Sequence, residues 1–98
     1  MMSESLLPPD ALSRTVTIRN RRGLHARAAA KFVKLAGDFD AMVEVERADN
    51  IVSGVSIMGL MMLAASIDTT IDIRTAGPQA REVLDALTKL VDDKFGED

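Results

Sequence analysis

Two periodicities take turns along this chain, and their order restricts the folds open to it more than any other feature. From Arg14 to Arg19, Val16 and Ile18 point one way while Thr15, Thr17 and Arg19 point the other, the two-residue period of a half-buried strand. From Ala26 to Ala36, the apolar Ala29, Phe32, Val33 and Ala36 recur at three- and four-residue steps. That spacing predicts an amphipathic helix, with Gly37 as a left-handed stop. Alternation returns from Ala41 to Arg47, where Ala41, Val43 and Val45 oppose Met42, Glu44 and Glu46. A polar turn at Ala48, Asp49 and Asn50 sends the chain back through Ile51 and Val52 as a hairpin. Ser53 and Gly54 close that strand, and Ser56 is placed to cap a short helix reaching about Leu63. Thr69 to Arg74 reads as a further strand. After Ala76, Gly77 and Pro78, a last helix carries Ala80, Val83, Leu84, Leu87, Val91 and Phe95 as its apolar stripe.

The order is βαββαβα. Strands that alternate in polarity, instead of being apolar on both faces, imply a sheet with helices on one side and solvent on the other, hence an α+β two-layer domain. A ferredoxin-like sandwich and an open-faced β-sandwich with a third helix both satisfy that string. With 98 residues there is room for one core. Residues 1–13, with Pro8 and Pro9, read as a flexible N-terminal arm, and residues 14–98 as the domain. The absence of cysteine excludes disulfides, thiolate metal sites and cysteine nucleophiles, which makes the cytoplasm the default compartment. The longest apolar run, Ile57 to Ala65, is about half the roughly 20 residues a membrane helix needs, and no basic segment precedes Leu6 and Leu7 as in a secretory signal.

The single histidine, His25, follows Gly23 and Leu24 at the point where the first helix begins, with Arg27 two residues on. Helix first turns leave backbone N–H groups unpaired, and the aligned peptide dipoles place about half a positive charge there. Such a terminus binds phosphate, and the same potential favours neutral, nucleophilic imidazole over imidazolium. A lone histidine is more often a cap, core or surface group than a reactive one; the helix start and the neighbouring arginines weigh toward function. No acid lies near His25 in the sequence to orient its ring as in a hydrolytic triad, although a distant one could do so in space. With no other histidine and no cysteine, only carboxylates remain to complete a metal site, and neither metal nor cofactor is expected. Charge is lopsided: Arg14, Arg19, Arg21, Arg22, Arg27, Lys31 and Lys34 occupy the stretch from Ala11 to Gly37 without one acid. This is either an ordinary solvated surface or an electropositive one that attracts phosphate or an acidic protein.

Gly23, Leu24, His25, Ala26 and Arg27, followed 31 residues after the histidine by Ser56, Ile57, Met58, Gly59 and Leu60, resemble the two motifs of HPr. That family comprises the histidine-containing phosphocarriers of the phosphoenolpyruvate-dependent phosphotransferase system, and the resemblance covers Arg14 to Phe95. It implies the open-faced β-sandwich, a four-stranded antiparallel sheet with three helices on one face. It also implies that His25 accepts a phosphoryl group on Nδ1 from phosphorylated enzyme I and passes it to a IIA-type protein, as a carrier and not as an enzyme. Arg27 and the first-turn amides would stabilise the phosphate. Ser56, which has a plain reading as a helix N-cap, is by the same resemblance the target of an HPr kinase/phosphorylase.

The resemblance further implies a partner surface made of Ala26, Ala28, Ile57, Met58 and Met61, rimmed by Lys31 and Lys34, on a monomer. Leu60 and Leu63 are read as core, and methionine suits a surface that repacks against several partners. Sugar-transport members usually have proline at the position of Ala28. The run from Ala28 to Phe32 is more similar to the regulatory proteobacterial branch. The rival reading is a ferredoxin-like regulatory binding module without phosphotransfer. Its nucleic-acid form is poorly served by three phenylalanines and no tyrosine or tryptophan.

Overall fold

A computed structural model describes residues 4–97. Its elements run β1 (Leu12–Thr17), α1 (Ala26–Gly37), β2 (Met42–Arg47), β3 (Asn50–Ser53), α2 (Ile57–Met62), β4 (Thr70–Ala76) and α3 (Ala80–Asp92), closed by a 3-10 turn at Lys94–Gly96. The strands lie in the order β1-β4-β2-β3, and every neighbouring pair is antiparallel. A ferredoxin-like sandwich, built from two split βαβ units, has its first and third strands at the centre of the sheet. Here β4 and β2 are central and β1 and β3 form the edges, so the string resolves to the open-faced α+β sandwich.

The alternating residues account for the layering. Val16, Val45, Val52, Ile71 and Ile73 form a single buried cluster with Ala29 and Phe32 of α1 and Val83, Leu84 and Leu87 of α3. The residues between them meet on the opposite face, where Thr15 donates to Asp72 and Arg74 pairs with Glu46. On the helix side, Arg14 reaches across the layers to Asp85 at 3.0 Å and Thr88 at 3.1 Å.

Several local expectations are displaced. The first strand begins at Leu12 and not Arg14, because Leu12 and Ser13 continue the ladder opposite Thr75 and Arg74. Gly37 is no left-handed stop: it closes α1 as its last residue, and Asp38 in right-handed geometry returns its N–H toward Leu35 and Ala36. The hairpin turn has two residues, Ala48 (φ 51°) and Asp49 (φ 67°), with Asn50 already paired to Arg47. Two left-handed residues in succession match the twist of the flanking strands, which outweighs the cost of a Cβ at Ala48. Phe95 is buried as the stripe predicted, but from the turn beyond α3 and not from the helix itself.

Alternation fails at Glu44, which faces the open side of the sheet and is nevertheless buried. The segment ahead of β1 is the reason. Ser5 Oγ donates to one Glu44 carboxylate oxygen at 2.6 Å and the Leu6 N–H to the other at 2.7 Å. Of the arm expected over residues 1–13, residues 1–3 lie outside the described residues, as does residue 98 of the domain.

Candidate functional site

The loop from β1 to α1 is shaped by one glycine. Gly23 has φ +63°, and a Cβ built on it would stand 2.4 Å from the Ala65 carbonyl oxygen. Only glycine permits that approach, after which the Leu24 N–H donates to the same oxygen at 2.9 Å. The loop is thereby pinned to the segment following α2, and His25 arrives as the N-cap residue of α1 with extended backbone (φ −76°, ψ 178°). Its carbonyl accepts from the Ala29 N–H at 2.8 Å. Its side chain makes no capping bond to its own helix, so the first-turn amides keep no intrahelical acceptor. The ring is 16% exposed and borders a cavity of about 220 Å³ lined by Arg22, Leu24, Ala64, Ala65 and Ser66.

The acid absent from the sequence neighbourhood is supplied by the other end of the chain. Glu97 Oε2 contacts His25 Nε2, while its Oε1 accepts from Asn20 Nδ2 at 3.1 Å. Asn20, fully buried, also donates to the Gly23 carbonyl at 2.8 Å. The hydrogen bond from His25 is the main influence holding the Glu97 carboxyl below the usual glutamate range; burial opposes it, and Asn20 and the His25 and Arg22 charges add to it. Glu97 gets there through a hook. Lys94 (φ 59°), Phe95 (φ 55°) and Gly96 (φ 77°) turn the chain back after α3. The Phe95 side chain is buried, and Lys31 Nζ donates to its carbonyl at 2.6 Å.

Sequence reasoning missed both Glu97 and Asn20. The available signal was the pairing of Phe95, in phase with the α3 stripe, with Gly96: an anchor followed by a residue suited to reversal.

Of the other residues singled out, Ala26, Arg27, Lys31 and Lys34 are exposed around the start and outer face of α1. Arg27 and Lys34 enter no ion pair among the described residues, whereas Lys31 is committed to the hook. Ala28 is wholly buried, which corrects its place in a partner surface. One position after Arg27 on the helix, it turns into the core beside Ala29 and Phe32. Ser56 Oγ accepts from the Gly59 N–H at 2.9 Å as the N-cap of α2. The next turns divide as a short helix must, with Leu60 and Leu63 buried and Ile57, Met58 and Met61 exposed, Met58 to 68%. Met62 is exposed as well. No group of three or more histidine and acidic residues capable of holding a metal occurs among the described residues. No helix among them is long and apolar enough to cross a membrane.

Comparison with known proteins converges on one family. The family model described as "PTS HPr component phosphorylation site" matches residues 12–93. Phosphocarrier protein HPr of Cupriavidus necator is 49% identical over 86 residues, covering 88% of this chain and 97% of the relative. Phosphocarrier protein NPr of Shewanella violacea is 44% identical, with 88% and 94% covered. Among solved structures, an HPr of Thermoanaerobacter tengcongensis superimposes with a TM-score of 0.85 at 38% identity, covering 89% of this chain and 98% of that one. A histidine poised at a helix start beside an unpaired arginine, on an open-faced sandwich, is therefore the setting of a known family, and the chain belongs to the HPr phosphocarriers of the phosphotransferase system.

Proposed function

We propose that this chain takes a phosphoryl group on His25 Nδ1 from phosphorylated enzyme I and delivers it to a histidine of a IIA-type protein, within the cytoplasm. The observation that carries this reading is the state of the His25 ring. One nitrogen is occupied by Glu97, and the other is free of any capping bond at the N-terminus of α1, with the exposed guanidinium of Arg27 two residues on.

Phosphoryl transfer asks for in-line placement and charge stabilisation more than for covalent help from the protein. The Nδ1 lone pair attacks phosphorus, the P–N bond to the donor histidine breaks, and its electron pair returns to the donor ring. Arg27 and the first-turn amides meet the phosphoryl oxygens. An open helix terminus, unlike a closed cage, leaves the group accessible to the next acceptor, so the chain carries phosphate and does not turn over a substrate. Ile57, Met58 and Met61 form the apolar centre of the docking surface, with Ala26, Arg27 and Lys34 as its charged and small-residue margin.

Ser56 is the proposed regulatory site, the target of an HPr kinase/phosphorylase. A phosphoryl dianion there suits the N-terminus of α2 but places negative charge on the face that an acidic partner approaches. Alanine in place of proline at residue 28, with the NPr relative at 44% identity, supports a regulatory branch over sugar uptake.

A reconstituted relay tests the reading. With enzyme I, phosphoenolpyruvate and a IIA-type protein, label reaches IIA only when this chain is present, and His25→Ala abolishes the transfer. Label reaching IIA equally fast with the His25→Ala chain would refute it.

A further inference from the structure

We infer that Glu97 is the positioning residue of His25, presenting Nδ1 as the bare nitrogen and countering the charge the ring acquires when it carries phosphate. The inference rests on the carrier reading and names a residue outside both motifs that mark the family in this sequence.

An ionised carboxylate can only accept, so the ring nitrogen facing Glu97 carries the hydrogen. A neutral imidazole has one N–H, and with that hydrogen on Nε2 the lone pair is left on Nδ1. Glu97 thus selects the tautomer that can attack from the side facing the first turn of α1. Attack by the neutral ring leaves Nδ1 bonded to phosphorus and Nε2 bonded to hydrogen, so the ring bears one positive charge next to the dianionic phosphoryl group. Glu97 lies against the protonated nitrogen and offsets that charge. When the group departs, the P–Nδ1 electron pair returns to Nδ1 and the ring is neutral again. The Nε2 proton stays in place throughout, and neither acceptance nor release waits on a proton.

Left-handed backbone at two consecutive non-glycine residues, Lys94 and Phe95, is unfavourable. Burial of Phe95 and the bond from Lys31 offset it. Both carboxylate oxygens are then engaged, one by His25 and the other by Asn20, whose buried amide is itself fixed to the Gly23 carbonyl. A carboxylate held at both oxygens fixes the plane of the imidazole as well as its tautomer.

Two variants separate the orienting role of Glu97 from its charge. Glu97→Gln keeps an acceptor and loses the charge; Glu97→Ala loses both. Imidazole ¹⁵N NMR of the unphosphorylated protein should show the Nε2–H tautomer predominating in the parent and in Glu97→Gln, and a mixed population in Glu97→Ala. Phosphoryl exchange with enzyme I should shift toward the donor by on the order of tenfold in both variants, the size expected of a charge-assisted hydrogen bond. Backbone NMR spectra confirm that each variant is folded. A Glu97→Ala protein with the parent's tautomer population and exchange equilibrium would overturn the inference. A parent that takes no phosphate, yet loses its tautomer preference in Glu97→Ala, would refute the carrier reading while sustaining the role of Glu97 toward the ring.

Discussion

His25 stands between two opposed influences: the positive end of α1 on one side of its ring and the Glu97 carboxylate on the other. The dependence on pH follows from Glu97. Its folded-state acidity is increased chiefly by the bond from His25, with Asn20 and Arg22 also facing it. The ionised form therefore favours the folded hook. That contribution is complete above the unfolded glutamate range, about 4.3, and disappears as pH falls through the lower folded value. Urea unfolding of the parent and of Glu97→Gln should show a stability difference that shrinks as pH falls below about 4. A difference that widened with acidity would contradict the assignment. None of this was readable beside His25, because the partner lies 72 residues away. The left-handed pair that carries it there has no propensity signature; lysine and phenylalanine announce nothing of the kind.

Among the elements, α2 is the one whose surface and cap have separate consequences. Ser56→Ala removes the acceptor for the Gly59 N–H and should cost about 1 kcal/mol of stability, with the His25 phosphorylation rate little changed. Ser56→Asp keeps a capping oxygen and adds charge, so stability should hold while phosphorylation by enzyme I slows. Equal rates for Ser56→Asp and the parent would remove Ser56 from the regulatory reading. The strands and helices were legible because period-two and period-3.6 patterns are printed directly in the residues that face the core, as with Val43 and Val45 against Phe32 and Leu87. Their ends were not. The Ala48–Asp49 turn, the start of β1 at Leu12 and the right-handed exit after Gly37 depend on ladder register and tertiary contacts that no local pattern encodes. The burial of Ala28 was equally hidden, since alanine suits either face of a helix.

The molecule as a whole keeps its reactive histidine at the start of a helix and its N-terminal latch on the open face of the sheet. The family match begins at residue 12, and the segment before it is latched to Glu44 on the open face of the sheet, next to a cavity of about 270 Å³ bordered by Leu6, Leu7, Met42 and Val55. Deleting residues 1–7 should lower stability by about 1–2 kcal/mol, the value of two hydrogen bonds to a carboxylate less its resolvation. An unchanged urea midpoint would show that the latch contributes nothing. The helix face, by contrast, carries His25 and Arg27 at the start of α1 and the exposed methionines of α2. The arginine beside the histidine was visible in the sequence; the contact of His25 with Glu97 required the fold. The most direct measurement is intact-mass analysis after incubation with enzyme I and phosphoenolpyruvate. The parent should gain one acid-labile phosphoryl group and His25→Ala none. An unmodified parent, or an adduct that persists in His25→Ala, would contradict the account.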